Sequence, residues 1–505
     1  MQRRDFLKVA SAGAAAMAVS GIESKAHAAS SLLGTHSAAD TEPLTAQGVA
    51  EKLVEETTQM KTIADTARKR KEKVRVGLVG IGNRGDQVEG DMSRTGLMEV
   101  VALCDVDLGA EHTQRVLKKY PKARRFQDFR KLFDEMRGKM DAVVVCTPDF
   151  AHFPIAMRAI KEGVHVYVEK PMAQTFYECE LLIEAARRNP RVVTQMGNQG
   201  HSSESMYQFK AWTEAGIIKD VTRIDTHMNN WRRWHDWDVN IKKFPDADPM
   251  PDTLDWEMWL MEKLHHDFSK NFHYGNWRSW YDFGMGAIGD WGAHIFDNAH
   301  DFLDLGLPYE VDMLKATGHN PYFFPMESTV RFRFPRRGSM PECDMTWYDG
   351  QNNLPTLPEG YGGNDSSADV PASGQNSAAP AKLNPGKVIY GGDLIFKGGS
   401  HNAQLSIIPA AKAKEMKDQV PAIPKAPTTH AENFLLACLG HAQTNSPFEK
   451  AGVLTQVMAL GVVAQRLNAS FHFDARTKSI VDNPFANALL YGPAPKDGWE
   501  EYYKV

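Results

Sequence analysis

The chain is poor in cysteine, in excess charge of one sign and in long apolar runs. Five cysteines in 505 residues exclude a disulfide framework, and we interpret Cys104 and Cys146, at predicted strand ends, as small buried apolar side chains. A formal net charge of −5 without a large basic patch argues against nucleic acid as a partner. No apolar run reaches the roughly 20 residues of a membrane span, so we expect no stable span.

The N-terminus has the features of an export signal. Paired arginines, Arg3 and Arg4, precede a weakly apolar run from Val9 to Gly21 and then Ala26-His27-Ala28. This order is typical of a twin-arginine signal peptide cut after Ala28. An amphipathic helix is the poorer interpretation, because the run is alanine-rich all round. We therefore expect residues 1–28 to be a signal peptide and the protein to be periplasmic or otherwise exported.

A glycine-rich turn follows the first strong strand pattern, residues 74–79. The glycines of Gly80-Ile81-Gly82-Asn83-Arg84-Gly85 have the G-x-G-x-x-G spacing of a dinucleotide-binding turn. Gly80 would permit the tight turn, Gly82 the approach of a pyrophosphate and Gly85 close packing of helix on strand. The alternative is a chance turn between core strands.

A second predicted strand, residues 99–104, ends in Asp105. An acid about 20 residues after the glycines is where the ribose hydroxyls of a dinucleotide are bound. Its charge would repel a 2′-phosphate, so the cofactor prediction is NAD rather than NADP.

The pattern of elements predicts an α/β protein of two main domains. Residues 29–73 are interpreted as a linker and an N-terminal helix. Residues 74–197 alternate strands and helices, which predicts a doubly wound parallel sheet of the Rossmann type. After the first two strands, further strands are predicted over 141–146, 164–168 and 191–196, and helices over 109–119, 128–136, 152–161 and 176–188. Residues 198–430 have longer strands without intervening helices, which predicts an α/β domain with an open, mostly antiparallel sheet and a long loop over 351–386. Residues 431–505 are expected to form C-terminal helices and a tail.

Two strand ends carry candidate functional side chains. Thr147, Pro148 and Asp149 follow the third predicted strand of the sheet, with His152 one turn later, and would lie near the nicotinamide half of the cofactor. A plain turn with Asp149 as helix cap is the alternative. Glu169-Lys170-Pro171 ends the next strand, and a lysine there could exchange the proton that accompanies hydride transfer. Alone, this tripeptide would more often be a surface turn.

A third segment with candidate functional side chains runs from Gly284 to Asp297. If helical from about Ile288, it would place Asp290, His294 and Asp297 on one face, and a carboxylate one turn from an imidazole suits general acid–base chemistry. No metal site is predicted, because the context is apolar and no cysteine or glutamate ligand is near. A structural helix with one buried histidine is the alternative.

Tryptophan is concentrated in one region of the chain. Eight of the eleven tryptophans lie between positions 231 and 291, interleaved with Asn, Arg and His. Flat aromatic faces with polar neighbours suit sugars, although we expect about half of these rings to be core or interface residues. The candidate substrate-binding residues are Asn230, Trp231, Arg232, Trp277 and Arg278, with Lys170 and His294.

In this order, these motifs resemble the Gfo/Idh/MocA oxidoreductases, named for glucose-fructose oxidoreductase and inositol dehydrogenase. The matching residues are Gly80 to Gly85, Cys104-Asp105-Val106-Asp107, Thr147-Pro148, Glu169-Lys170-Pro171 and Gly289-Asp290-Trp291-Gly292-Ala293-His294. The tail, Asn433-Phe434-Leu435, Ala464 to Leu467 and Asp482 to Leu490, also fits, so the resemblance covers about 74–490.

The resemblance implies a catalytic Lys170, with His294, oriented by Asp290, assisting proton transfer. Asn198, Gln199 and His201, after the last strand of the first domain, would contact substrate or the reactive end of the cofactor, and Glu169 and Trp291 would also border the cofactor. The resemblance further implies that the substrate is a cyclic polyol, sugar or sugar derivative and that the protein forms a homodimer or homotetramer.

Three functions remain open from the sequence. The first is an exported sugar oxidoreductase with tightly bound NAD, since little free NAD exists outside the cytoplasm. The second, also found in the family, is a redox-neutral NAD-dependent glycosidase that oxidises C3, eliminates the aglycone and re-reduces the product, with His201 or Tyr281 as a second base. His201 stands where those glycosidases tend to carry a tyrosine-containing motif. The third is a non-catalytic sugar or NAD sensor.

Overall fold

A computed structural model describes residues 45–230, 237–351, 353–362, 383–401 and 403–505. The predicted signal peptide, most of the linker and the centre of the predicted 351–386 loop lie outside these residues. Trp231 and Arg232 also lie outside them.

The first half of the chain forms a six-stranded parallel sheet. Its strands are β1 Val74–Val79, β2 Met98–Cys104, β3 Arg124–Phe126, β4 Ala142–Val145, β5 His165–Val168 and β6 Thr194–Met196. The order β3-β2-β1-β4-β5-β6 reverses between β1 and β4, so their carboxyl ends form the edge where ligands of doubly wound sheets bind. β1, β4 and β5 are almost wholly buried and rich in valine, as expected of strands covered on both faces.

Helices cover both faces of this sheet. They are α1 Ala46–Lys69, α2 Arg84–Arg94, α3 Gln114–Lys119, α4 Phe129–Met136, α5 His152–Lys161 and α6 Phe176–Arg188. The start of α6 is defined by a capping box, in which the Thr175 hydroxyl accepts from Glu178 N and the Glu178 carboxylate accepts from Thr175 N. A 3₁₀ turn Gln199–Ser202 and α7 Glu204–Glu214 then lead away from β6.

The second sheet has nine strands. They are β7 Val221–Met228, β8 Glu310–Thr317, β9 Glu327–Phe334, β10 Cys343–Asp349, β11 Gly386–Gly391, β12 Leu394–Gly399, β13 Ser406–Ile408, β14 Phe471–Asp474 and β15 Ser479–Ile480. The order is β13-β12-β11-β7-β10-β9-β8-β14-β15, and among the described strand pairs only β7 and β10 are parallel. The predicted fold class, a Rossmann sheet followed by a mostly antiparallel sheet, is therefore confirmed.

The remaining described α-helices lie in the second half of the chain. They are α8 Trp256–Leu260, α9 Ala293–Ile295, α10 Asp297–Phe302, α11 Ala410–Met416, α12 His430–Cys438, α13 Phe448–Leu467 and α14 Pro484–Tyr491. α13 is buried on nearly every side, and its glycines allow close contact: a Cβ on Gly452 would lie 2.6 Å from Ile183, and one on Gly461 2.6 Å from Ile288. Among the described helices, none has the length and apolar character needed to cross a membrane.

The observed elements differ from the sequence prediction in four places. Residues 431–505, expected to form helices and a tail, also contribute β14 and β15 to the second sheet. The helix predicted over 109–119 is a 3₁₀ turn, Glu111–Thr113, followed by the short α3. β3 was not predicted, because three residues are too few to show a strand period. Residues Ile288–Gly292 form a π-helical turn before α9, so the regular helix expected from Ile288 does not form.

Candidate active site

The glycine turn is built as a dinucleotide-binding turn requires. Gly80 has φ +79°, and a Cβ there would lie 2.5 Å from the carbonyl oxygen of Cys146. A Cβ on Gly85 would lie 1.9 Å from the carbonyl oxygen of Gly80, so only glycine lets α2 start this close to β1. The amide groups at the start of α2 face the same edge of the sheet, where they can bind phosphate.

Asp105 lies beside this turn, at the end of β2. Its carboxylate accepts hydrogen bonds from the backbone N–H of Ile81, at 2.9 Å, and of Asp107, at 3.1 Å. Burial raises the pKa of Asp105, and these two backbone hydrogen bonds oppose that shift. A carboxylate has about four acceptor positions, so two remain for ribose hydroxyls.

A groove runs along this edge of the sheet. Among the predicted site residues it is lined by Gly80, Gly82, Asn83, Arg84, Asp105, Thr147, Pro148, Trp277 and Arg278. Sequence reasoning missed other groove residues, including His112, Gln127, Met258 and His273. His112 packs on the bare backbone of Gly82, where a Cβ would lie 2.0 Å from its ring. Its position seven residues after Asp105 was the only signal for it in the sequence.

Residues 251–261, here called the strap, cross the β2 side of the groove. Three hydrogen bonds hold the strap in place. The Thr253 hydroxyl donates to Asp107 Oδ1 at 2.7 Å, and Asp255 N donates to Val106 O at 2.9 Å. Gln127 Nε2 donates to Thr253 O at 3.0 Å. α8 lies in the strap and presents Met258 to the groove. A dinucleotide in the groove would therefore be bordered by the glycine turn and by the strap.

An ion pair connects the glycine turn to the Glu-Lys-Pro turn. Arg84 Nη2 donates to Glu169 Oε1 at 3.0 Å, and the Glu169 side chain is only 4% exposed. The attraction of Glu169 outweighs burial and raises the pKa of Arg84. This contact fixes the residue before Lys170 to the start of α2, although Glu169 itself does not line the groove.

Lys170 is held by Asp290. Its Nζ donates to Asp290 Oδ1 at 2.9 Å and to the backbone oxygen of Asp290 at 2.7 Å. Arg278 also approaches the carboxylate, with Nε 3.7 Å from Oδ1. An ammonium group has three hydrogens, so one remains to donate to a substrate oxygen.

His294 is buried beside this pair. Burial lowers the pKa of His294 well below its usual value, and His401 and Lys170 lower it further. We expected Asp290 to orient His294, but the Asp290 carboxylate binds Lys170, and His294 Nδ1 has no hydrogen-bond partner among the described residues. The π-helical turn explains the difference, because it breaks the i, i+4 spacing assumed from the sequence.

Several predicted site residues have buried polar atoms that bind no protein group. Within the described part of the chain, hydrogen-bond partners are lacking for Thr147 Oγ1, both side-chain polar atoms of Asn198, and Gln199 Oε1. Thr147 follows β4 and Asn198 follows β6, so both lie at the carboxyl edge of the sheet. Buried polar atoms are rarely left without a partner, and their concentration at this edge fits a bound polar ligand.

His201 is not the base that we expected. Its Nδ1 lies 2.9 Å from Asp297 Oδ1 and its Nε2 3.2 Å from Asp301 Oδ2. Burial alone would lower the pKa of His201, but the two carboxylates outweigh it and raise the pKa to about 10. The ring is therefore a buried cation at neutral pH, in a separate small cavity. Asp297 thus pairs with His201, whereas Asp290 pairs with Lys170.

Asp149 and His152 also have structural surroundings. Asp149 accepts from the Met285 N–H at 3.2 Å, and burial raises its pKa to about 6 despite Arg278 and Lys170. The ring nitrogens of His152 lie 2.7 and 2.9 Å from the carbonyl oxygens of Pro171 and Thr147, and burial lowers its pKa to about 4. Neither lines the groove: Asp149 connects its turn to Met285, and His152 connects the turns that follow β4 and β5.

The tryptophan-rich region is largely core. Of its six described tryptophans, four are buried: Trp256, Trp259, Trp277 and Trp280. Trp277 nevertheless reaches the groove, with the Arg278 guanidinium 4.0 Å from its ring centre. Tyr281 lines a different cavity, so it is not placed to act as a second base. Asn230 is half-buried after β7 and does not line the groove.

Comparison with known proteins agrees with this geometry. Residues 74–196 match the GFO_IDH_MocA model, described as an oxidoreductase family with an NAD-binding Rossmann fold. Residues 74–196 are thus similar to the NAD-binding domain of the Gfo/Idh/MocA oxidoreductases. NAD is the cofactor of this domain, and its glycine turn, Asp105 and unpartnered strand-end polar groups fit that group.

Relatives of known activity match parts of the chain. It is 26% identical over 249 residues to an alpha-N-acetylgalactosaminidase of Shewanella oneidensis, covering 48% of this chain and 49% of that one. It is 29% identical over 147 residues to an inositol 2-dehydrogenase of Salmonella paratyphi B, covering 29% and 43%. The chain thus spans less than half the length of these relatives.

The fold extends beyond these segments. The WlbA dehydrogenase of Bordetella pertussis, solved with NADH and UDP-GlcNAcA, has a TM-score of 0.51 at 17% identity, covering 80% of this chain and 99% of that one. The likeness shows that the two-sheet architecture is shared.

Proposed function

We propose that this protein is an exported, NAD-dependent oxidoreductase that acts on a sugar, polyol or sugar derivative and keeps its cofactor tightly bound. The observation that carries the proposal is the Lys170–Asp290 pair beside His294, at the edge of the sheet where the glycine turn binds NAD. A proton-donating group and a neutral imidazole at this edge are what oxidation of an alcohol needs.

The protein side of the reaction follows from these contacts. NAD, when bound, supplies the acceptor for a hydride from the substrate carbon. The free hydrogen of the Lys170 ammonium donates to the substrate oxygen and orients it, while Asp290 holds the ammonium in place. His294 accepts the hydroxyl proton, because burial keeps its ring neutral at neutral pH. In the reverse direction His294 returns that proton.

A carbohydrate substrate is supported by the polar groups that border this edge. Arg278 and Trp277 present a cation and an aromatic ring side by side, and Asn198 offers an unpartnered amide. The strap supports tight cofactor retention, because it crosses the groove. Export and homodimer or homotetramer formation remain predictions, the first from residues 1–28 and the second from the family resemblance.

A second candidate is a redox-neutral NAD-dependent glycosidase. It is favoured by the similarity of 249 residues to the Shewanella oneidensis alpha-N-acetylgalactosaminidase. Such a reaction needs a base to remove the proton next to the oxidised carbon. His201 is not available for this step, because it is held as a cation by two carboxylates, so the step would fall to His294 or Lys170 in turn. A non-catalytic sensor does not require the Lys170–Asp290 arrangement.

The test uses protein purified after export without added nucleotide. The absorbance of reduced nicotinamide is followed while sugars, polyols and aryl glycosides are offered in turn. A lasting change without aglycone release supports the oxidoreductase. Aglycone release with the absorbance returning to its starting value supports the glycosidase. Bound nucleotide that responds to no carbohydrate contradicts both and favours the sensor, and absence of bound nucleotide contradicts tight retention.

A further inference from the structure

A second histidine lies against His294. The rings of His294 and His401 are stacked, with centroids 3.9 Å apart and planes within 19° of parallel. The edge of this stack meets Trp291, whose ring centroid is 5.1 Å from that of His401 at nearly a right angle. His294 is 6% exposed, and His401 forms part of the cover that excludes water from it.

His401 reaches this place from the second sheet. It follows β12 in the turn that leads to β13, with φ +55°, in the left-handed region that is uncommon for residues other than glycine. Its Nδ1 lies 2.9 Å from the Ser400 hydroxyl. The turn is therefore shaped to present one imidazole to the edge of the Rossmann sheet.

We propose that His401 is a positioning residue of the active site, which stacks on His294 and keeps that ring oriented and uncharged for proton transfer. His401 acts through His294 and is not itself assigned a proton-transfer step. The inference rests on the proposed function, in which His294 is the base, and adds a residue that no motif in the sequence indicated.

The charges around His294 agree with this role. His401 faces it from the β12–β13 turn, Lys170 from the end of β5, Arg84 from α2 and Asp290 from its own segment. His401, Lys170 and Arg84 disfavour a positive charge on the His294 ring, whereas Asp290 favours one. Two stacked imidazoles cannot both be protonated without strong repulsion, because the rings are separated by less than 4 Å.

The test is a titration of His294 by NMR, in NAD-loaded protein with labelled imidazole rings. The His294 signal is assigned with His294→Gln. His401→Phe keeps an aromatic stack but removes the ionisable ring, and His401→Asn removes the ring while tolerating the left-handed backbone. Both should raise the pH midpoint of His294, because His401 no longer opposes a positive charge on that ring. His472→Phe, at an exposed position, should leave it unchanged.

Turnover gives an independent measure. Removing His401 should shift the acidic limb of the kcat/KM profile upward by the same amount, with kcat/KM recovering to near the wild-type value above the new midpoint. A merely structural role would lower kcat at every pH. An unchanged His294 titration in both His401 variants would overturn the proposal. If no carbohydrate is turned over, the proposed function fails, but the NMR titration still decides whether His401 controls His294.

Discussion

Lys170 and Asp290 lie 120 positions apart in the sequence and are joined by two hydrogen bonds, one to the side chain and one to the backbone of Asp290. The first residue comes from the Rossmann sheet and the second from the π-helical turn that precedes α9. Because each domain contributes one member, the geometry of the proposed active site depends on how the two domains pack.

Replacing Lys170 with methionine should therefore abolish most turnover without releasing NAD. The substitution removes the hydrogen that orients the substrate oxygen, so kcat should fall by about 10²- to 10⁴-fold. Steady-state kinetics and the bound-nucleotide content of the purified variant measure the two effects. Lys61→Met, on the exposed side of α1, is the matched control. Turnover within a factor of two of wild type would rule out the assigned role of Lys170.

Asp105 should determine both cofactor affinity and cofactor choice. Asp105→Ala removes a charged acceptor from the ribose site, a loss of about 1.5–3 kcal/mol, so NAD should bind roughly 10- to 100-fold more weakly. The same change removes the repulsion of a 2′-phosphate, so the preference for NAD over NADP should narrow. Calorimetry of nucleotide-free protein with both cofactors measures this. Asp91→Ala, on the surface of α2, should change neither value, and an unchanged NAD affinity in Asp105→Ala would contradict the ribose assignment.

The Rossmann sheet was predictable because its signals are local. Buried valine-rich strands, the glycine spacing and Asp105 lie within about thirty residues, and helices such as His152–Lys161 and Phe176–Arg188 have the predicted bounds. Motif order also singled out Lys170, Asp290 and His294 as candidate site residues, and the structure brings Lys170 and Asp290 into contact. These features depend on short-range periodicity and on turn chemistry, both of which a single sequence shows.

The remaining features depend on contacts between distant segments. Asp290 and His294 were paired by assuming regular helical spacing, but a π-helical turn redirects them. His201 was chosen for its place after β6, and only the fold reveals the carboxylates of Asp297 and Asp301 around it. His401 follows two glycines in an ordinary-looking turn, and no local pattern indicates that it meets His294.

The His201 ion pair should make stability depend on pH. The folded-state pKa, about 10, lies above the ordinary value of 6.5, so the protonated ring stabilises the fold. This contribution is complete below pH 6.5 and is lost as the pH rises toward 10. His201→Gln removes the cation from the buried Asp297 carboxylate, whereas Asp301 keeps its ion pair with Lys450. The substitution should cost about 3–5 kcal/mol of unfolding free energy near neutral pH.

Urea denaturation of wild type and His201→Gln across this pH range measures the effect as a difference. The difference should shrink steadily as the medium becomes alkaline, since other titrating groups are common to both proteins. His472→Gln, at an exposed site, should show no such trend. The folded fraction of His201→Gln should retain substrate-dependent reduction of NAD; complete loss of turnover in folded protein would restore His201 as a catalytic base.

The strap should slow the release of NAD. Thr253→Val keeps the side-chain shape but removes the hydroxyl that donates to Asp107. Losing this hydrogen bond costs about 0.5–1.5 kcal/mol. If the strap must lift for NAD to leave, cofactor release should become roughly 2- to 10-fold faster. Thr253→Ser retains the hydroxyl and should keep the wild-type rate. Release is followed by trapping free NAD with an excess of a dehydrogenase. Equal rates in all three proteins would show that NAD leaves without opening the strap, and retention would then depend on contacts at the glycine turn and Asp105 alone.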